Sequence, residues 1–207
     1  RLMRDLHDGL GGQLVSIVAL SERGNAGTDI GEAARAALKD LRLVIDSMDD
    51  IGGDLMLALG SWRERAAAQL RPHGIALDWQ IASAQGLPVH PELRPWHVIQ
   101  IVRILDEALT NAVRHAGVQA ITVRIETLYG ADGVARGCIT VADEGKGFVL
   151  AADGEGTAGS KAGRGLRNMQ NRAARCGIEL GLSSAASGTC VRLQLPHRFP
   201  DNDAATT

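Results

Sequence analysis

The sequence predicts an α+β protein in two parts, a helical hairpin followed by an α/β sandwich. Two amphipathic helical segments come first, and beyond Gly74 apolar residues begin to alternate as they do in strands. Strands and helices then follow one another without strict βαβ order, which favours an α+β arrangement. We expect the hairpin to cover residues 1–52, the sandwich residues 53–199, and a disordered tail residues 200–207.

Composition excludes several classes of function. The 207 residues carry 22 Lys and Arg against 24 Asp and Glu, a net charge of -2, so no strong field favours nucleic acid and no direct nucleic-acid partner is expected. No apolar run is long enough to span a bilayer. Three cysteines without C-x-x-C spacing predict unpaired thiols in a reducing compartment. The chain begins with Arg1 inside a helical pattern, and we expect it to be the C-terminal part of a longer protein.

The first part reads as two helices that pair with a second copy. The first runs over roughly residues 2–23, with apolar residues at helical spacing, and ends in the loop-like "RGNAGTD". The second begins at a capping-box pattern, Asp29 with Glu32, and its apolar residues recur at alternating spacings of four and three, as in a coiled-coil seam. Two short helices cannot bury both apolar faces alone, so a dimeric four-helix bundle is predicted.

The second part opens with a helix and a strand. The helix runs from about 55 to 71 and stops at Pro72 and Gly74, and an alternating strand follows over 75–81. A long helix is then predicted from Pro91 to His115, closed by Gly117 as a glycine cap.

The remaining elements are a hairpin, a loop, a helix and two strands. "AITVRIETL" (120–128) and "GCITVADEG" (137–145) alternate and read as a hairpin. The Gly-rich "ADGEGTAGSKAGRG" (152–165) leads into a helix over 166–177. The strands "IELGLSS" (178–184) and "TCVRLQLP" (189–196) complete the sandwich.

The long helix carries polar residues at helical spacing. Glu107 and Asn111 lie at i and i+4, and Arg114 or His115 follows at i+7 or i+8, so the spacing places them on one face. An Asn oxygen is a hard ligand for Mg²⁺, a basic group suits phosphate, and a carboxylate can take a proton or hold a water. Taken alone, the same spacing also fits a solvated helix face.

A second group of residues follows the hairpin. Asp143 continues the inward parity of Ile139 and Val141, so its carboxylate needs a donor, which an adenine amino group would supply. Gly145 and Gly147 would allow close approach of the backbone to a flat base, although an ordinary Asp-Glu-Gly turn explains them too.

Two further glycines fall where the next helix is predicted to start. Gly163 and Gly165 suit phosphate binding at a helix N-terminus. Helix capping beside a loop is the alternative for them.

Together these motifs resemble a known family. The order N-x-x-R-H, D-E-G-K-G, a Gly-rich lid, G-R-G-L-R-N-M and G-T-C-V resembles the GHKL-type ATP-binding domain shared by histidine kinases, gyrase B, heat-shock chaperones and mismatch-repair ATPases. The G-x-x-x-x-G-K-[ST] loop and the Rossmann fingerprint are absent. Near the start, "RDLHDGLGGQL" resembles the phosphoacceptor box of the nitrate-sensor and desaturase-thermosensor subfamily of bacterial two-component sensor histidine kinases. The resemblance covers about residues 2–197.

The resemblance implies a role for each matching residue. His7 would accept the γ-phosphoryl group of ATP, and Asp8 would hold its other ring nitrogen and set the tautomer. Glu107 would be the polarising or basic group, and Asn111 the Mg²⁺ ligand. The nucleotide-binding residues implied are Asn111, Arg114, His115, Asp143, Gly145, Gly147, Gly163, Arg164, Gly165, Leu166 and Thr189.

The resemblance also implies cofactors, partners and location. ATP and Mg²⁺ would be the cofactors, and the partners would be a second copy in a homodimer and the receiver domain of a response regulator with a helix-turn-helix output domain. The location would be cytoplasmic, with membrane attachment only through an upstream sensor region. The family's dephosphorylation glutamine is replaced by Gly12, and Gln13 is turned by about 100° on a helix, which puts phosphatase activity by that route in doubt.

Other functions remain open at this point. An ATPase clamp of the gyrase or chaperone type would hydrolyse ATP without forming phosphohistidine. A related kinase would phosphorylate serine on a partner, and a nucleotide-binding adaptor would catalyse nothing. The His7-Asp8 pair on a dimerising helix favours the histidine kinase.

Overall fold

The computed structural model describes residues 54–83, 86–148 and 161–200, all within one compact unit, Gly53–Thr207. The predicted hairpin with His7 and Asp8, most of the Gly-rich loop, and the tail after 200 lie outside the described residues. Within the described ranges, no helix combines the length and apolar character that crossing a bilayer requires. All three cysteines lie in these ranges and are unpaired, as predicted.

The described residues form a mixed five-stranded sheet with three helices. The strand order is β1-β2-β3-β5-β4, in which β1 and β2 are parallel and the other neighbours are antiparallel. The predicted α/β sandwich is therefore confirmed for the second part of the chain. The strands are β1 (Ala76–Ile81), β2 (Ala120–Tyr129), β3 (Ala135–Asp143), β4 (Glu179–Ala185) and β5 (Gly188–Gln194).

The core lies between the helices and one face of the sheet. The helices are α1 (Leu55–Leu70), α2 (Pro95–Asn111) and α3 (Lys161–Arg175). Alternate residues of the three central strands are buried toward the helices: Ile121, Val123, Ile125, Ile139, Val141, Val191 and Leu193. The intervening residues on the opposite face are mostly polar, so the sheet separates a packed layer from a hydrophilic one.

Local signals account for both ends of α1. The Asp54 carboxylate caps the start by accepting hydrogen bonds from Met56 N (2.9 Å) and Leu57 N (3.1 Å). The helix tightens into a 3₁₀ turn over Arg71–His73 and stops at Gly74, whose φ is +67°. The predicted end of this helix is confirmed.

The start of α2 differs from the prediction. The helix begins at Pro95 and not at Pro91, because Glu92 has a φ of +63° and Arg94 is extended (φ -120°, ψ 159°). A residue before proline is pushed out of the helical region, so Pro95 marks the boundary. Beyond Asn111 the chain continues as a π-helical turn over Ala112–Ala116.

The far end of this helical stretch follows the prediction. The π-helical turn closes at Gly117, whose φ is +67°, so the glycine cap predicted there is confirmed. A left-handed φ of this kind is the conformation that favours glycine at a helix end.

The start of α3 also differs from the prediction. It begins at Lys161, five residues earlier than expected, so Gly163 and Gly165 lie inside its first turns. Glycine weakens a helix by about 1 kcal/mol relative to alanine, which is why the sequence favoured a later start. Gly165 lies where the backbone of α3 comes close to side chains of α2.

His90 joins the segment before α2 to the segment after β5. Its side chain is 7% exposed, its Nδ1 lies 2.8 Å from the carbonyl oxygen of Pro196, and its ring packs edge-on against Phe199 at 5.7 Å. Phe199 N also donates to the carbonyl oxygen of Pro91 (3.0 Å). These contacts hold the C-terminal segment under the start of α2.

This burial predicts a pH dependence of stability. Burial lowers the pKa of His90 below its ordinary value of 6.5, so His90 binds a proton less readily in the folded chain than in the unfolded chain. The free energy of unfolding should therefore fall as pH decreases below 6.5, by at most about 1.4 kcal/mol per pH unit. Urea titrations between pH 7.5 and 5.5 measure this slope, and His90→Gln should flatten it. An identical slope in the variant would contradict the assignment to His90.

Candidate nucleotide site

Helix α2 presents Glu107 and Asn111 one turn apart. Both side chains are half-buried, as the i and i+4 spacing predicted for a shared face. Arg114 lies in the π-helical turn and is exposed, and the side chain of His115 lies outside the described residues. A π turn has more residues than an α turn, so the spacing of Arg114 and His115 from Asn111 differs from that of the regular α-helix used in the prediction. Such turns are frequent at functional sites.

The first turns of α3 lie directly against this face. Gly165 is buried, and a Cβ added to it would overlap Oε1 of Glu107 and stand 3.6 Å from Nδ2 of Asn111. The α3 backbone therefore approaches Glu107 so closely that any side chain at position 165 would require the Glu107 carboxylate to move. The structure brings Glu107, Asn111 and Gly165 together.

Asp143 stands at the end of β3 and is half-buried. Its Oδ1 accepts hydrogen bonds from Gly145 N (2.9 Å) and Thr189 N (3.3 Å). The bond to Gly145 closes an Asx-type turn, which is the turn that the alternative interpretation of Asp-Glu-Gly expects. Among the described residues both donors are on Oδ1, which leaves Oδ2 as an acceptor for a ligand.

The loop after β3 is pressed against the turn between β4 and β5. A Cβ on Gly147, whose φ is +55°, would collide with the carbonyl oxygen of Ala185. A Cβ on Gly188, whose φ is +130°, would collide with the carbonyl oxygen of Asp143. We call residues 143–148 together with 184–189 the β3 rim, a surface built from closely approaching backbone.

The remaining predicted residues are placed less fully. Gly145 and Gly147 belong to the β3 rim, and Gly163 lies in the first turn of α3. Leu166 is half-buried on α3, and the side chain of Arg164 lies outside the described residues.

Ser184 is a site residue that sequence reasoning missed. Its Oγ accepts a hydrogen bond from Phe148 N (2.8 Å) and lies 3.1 Å from Oγ1 of Thr189. A signal was available, because Ser184 has the same parity as Leu180 and Leu182, which face the core from β4. A hydroxyl at an inward position requires a partner.

Helices α2 and α3 are also tied by a polar contact. Arg172 donates to Gln100 Oε1 (2.9 Å) across the interface, and Gln100 is 8% exposed. The bond fixes the register of α3 on α2 and so the position of Gly165 on Glu107. No cluster of three or more His, Cys, Asp or Glu side chains that could hold a metal occurs in the described ranges. A metal at Asn111 would therefore share its coordination with a ligand, as Mg²⁺ does with phosphates.

Comparison with known proteins shows similarity to one class of protein. Residues 97–198 match the family described as "Histidine kinase-, DNA gyrase B-, and HSP90-like ATPase". The sensor histidine kinase MctS of Rhizobium johnstonii is 29% identical over 214 residues, which cover 95% of this chain and 42% of MctS. The sensor histidine kinase LnrJ of Bacillus subtilis is 24% identical over 192 residues, covering 86% of this chain and 42% of LnrJ.

A solved structure has the same fold. The histidine kinase domain of the Erythrobacter litoralis EL346 blue-light activated histidine kinase superposes with a TM-score of 0.58 at 20% identity, covering 94% of each chain. Residues 97–198 therefore match the histidine kinase type ATPase family, and the chain is similar to sensor histidine kinases over most of its length. It spans 42% of the length of each of these two relatives, MctS and LnrJ.

Proposed function

We propose that this chain is the catalytic core of a sensor histidine kinase that phosphorylates His7 from Mg-ATP and passes the phosphoryl group to an aspartate of a response regulator. The observation that carries the proposal is the close assembly of Glu107, Asn111 and Gly165 within the matched ATPase domain. A carboxylate and a carboxamide one helical turn apart suit a metal-bound phosphate chain.

Residues of the β3 rim would recognise the base. Oδ2 of Asp143 would accept a hydrogen bond from the adenine amino group, while Oδ1 is held by the main chain. Gly145 and Gly147 would let the base approach the backbone, and Thr189 would contribute from β5. Gly163, Arg164, Gly165 and Leu166 at the start of α3, with Arg114 and His115, would lie along the phosphates.

Mg²⁺ fits the residues present, because Asn111 offers a hard oxygen beside a carboxylate in a half-buried setting. Asn111 would hold the ion, which would neutralise charge on the phosphates. Glu107 would act at the reacting centre as a polarising group or as a base that accepts a proton.

An imidazole nitrogen of His7 would attack the γ-phosphorus, forming an N–P bond as the bond to the bridging oxygen breaks and ADP leaves. Asp8 would accept the hydrogen bond of the other ring nitrogen.

The wider assembly is part of the same proposal. Residues 1–52 would form the dimeric four-helix bundle, residues 53–199 the ATP-binding domain, and residues 200–207 a tail. The box around His7 supports the nitrate-sensor and desaturase-thermosensor subfamily, and with it a regulator carrying a helix-turn-helix output domain. The core would act in the cytoplasm, with membrane attachment only through an upstream sensor region.

The test is phosphorylation with γ-labelled ATP and Mg²⁺. The chain should acquire a label that is acid-labile and alkali-stable, as a phosphohistidine is, and His7→Gln should acquire none. A label that survives acid would favour the serine-kinase alternative. ATP binding without any label would overturn the proposal, and steady ATP turnover would then separate a clamp from an adaptor.

A further inference from the structure

Ser184 stands at the centre of the β3 rim and links three of its parts. Its Oγ receives the hydrogen bond of Phe148 N and contacts Oγ1 of Thr189, whose main-chain N–H donates to Asp143. A continuous polar chain thus runs from the loop after β3, through Ser184, to the carboxylate. No motif singled out in the sequence includes this residue.

We propose that Ser184 is a positioning residue that sets the geometry of base recognition at Asp143. The inference rests on the proposed function and names a residue that acts through others, since Asp143 and Thr189 would meet the base. Its effect should be on nucleotide affinity and base selectivity, and not on the phosphoryl-transfer step.

Ser184 anchors the loop after β3. Phe148 is 38% exposed, so water can replace the hydroxyl as the partner of its N–H when Ser184 is truncated. The fold should therefore tolerate the loss, whereas the loop loses its anchor to β4. Because Gly147 lies against the carbonyl oxygen of Ala185, a shift of the loop directly alters the surface that a base would contact.

Ser184 also contacts the side chain of Thr189. A serine hydroxyl has one proton and two lone pairs, and Phe148 N–H already occupies one lone pair. Its proton and second lone pair remain for the contact with Oγ1 of Thr189, in which either hydroxyl can donate, and this contact holds the Thr189 hydroxyl in place. Removing the Ser184 hydroxyl removes this constraint, so Thr189 no longer presents a fixed hydroxyl beside Asp143.

Strand β4 offers a control that distinguishes a role of Ser184 in base recognition from a general structural role. Ser183 is its neighbour on the same strand, but it is exposed and faces the other side of the sheet. Ser183→Ala therefore makes the same chemical change on β4 without touching the β3 rim. Ser184→Thr keeps the hydroxyl and tests whether the oxygen itself is what matters.

The experiment measures affinities for ATP, ADP and GTP by calorimetry on the 207-residue chain and its variants. Ser184→Ala should weaken ATP and ADP by the same factor, about fivefold to tenfold, as expected for one lost hydrogen bond. The preference for ATP over GTP should fall by a similar factor. Ser184→Thr should restore both quantities, and Ser183→Ala should change neither. The phosphorylation rate at saturating ATP should stay the same while the KM rises.

Several outcomes would overturn the inference. Unchanged affinity and selectivity in Ser184→Ala, with ATP still bound by the unchanged chain, would remove Ser184 from base recognition and leave the proposed function intact. Failure of the unchanged chain to bind ATP would overturn the proposed function and the inference together. If Ser184→Ala does not fold, Ser184→Cys decides, because its thiol is a weaker acceptor: reduced affinity supports the inference and full affinity contradicts it.

Discussion

Glu107→Gln should leave ATP binding nearly unchanged and slow phosphorylation of His7 by about 10²- to 10⁴-fold, the range typical of a lost general acid or base. The substitution keeps the shape of the side chain, so Gly165 can still pack against it. It removes the negative charge and the capacity to accept a proton. Single-turnover labelling at saturating Mg-ATP measures the rate, and calorimetry measures the affinity.

The control for this prediction is Glu179→Gln. Glu179 is exposed at the start of β4, so the same chemical change there should alter neither quantity. Equal labelling rates for Glu107→Gln and the unchanged chain would remove Glu107 from the reaction. A large loss of ATP affinity would instead show that the carboxylate acts in holding the Mg-nucleotide.

Asn111→Ala should abolish the gain in ATP affinity that Mg²⁺ provides. Groups that merely orient a metal ligand contribute about tenfold to a hundredfold to metal affinity, so loss of the ligand itself should weaken Mg-ATP by about a hundredfold. The measurement compares ATP affinity with excess Mg²⁺ and with a chelator. The variant should bind equally weakly under both conditions, because only the ion-dependent part of the affinity is lost.

Asn171→Ala provides the matched change, since Asn171 is exposed on α3. It should retain the full difference between the two conditions. If Asn111→Ala also retains that difference, Asn111 does not hold the metal, and the proximity of Asn111 to Glu107 and Gly165 has another cause.

Much of the fold could be predicted because its signals are local. Pro72 and Gly74 end α1 as their backbone preferences require, and the alternation in 120–128 predicts its strand. The predicted start of α2 was wrong because Glu92 adopts a left-handed φ of +63°, in a segment whose neighbour Pro91 is bonded to the distant Phe199. The predicted start of α3 was wrong because the helix includes Gly165 despite its low helix propensity, with its backbone close to Glu107.

The candidate site shows the same division between local and distant causes. Helical spacing placed Glu107 and Asn111 together, and strand parity turned Asp143 toward the helix side. Nothing local could indicate that Thr189, 46 residues later, donates to Asp143, or that Ser184 reaches Phe148 across 36 residues. These contacts depend on β5 lying between β3 and β4, a long-range pairing that sequence periodicity does not encode.

That strand order delays completion of the candidate nucleotide site until the last of the described strands has been made. Strand β5 is the final strand to be made, yet it is internal: β3 lacks a neighbour on that side without it, and β4 pairs with β5 alone among the described strands. A nascent chain that ends before Gly188 has all of Glu107, Asn111 and Asp143 but lacks the strand that supplies Thr189. We therefore expect the competence to bind a base to arise only when β5 joins the sheet.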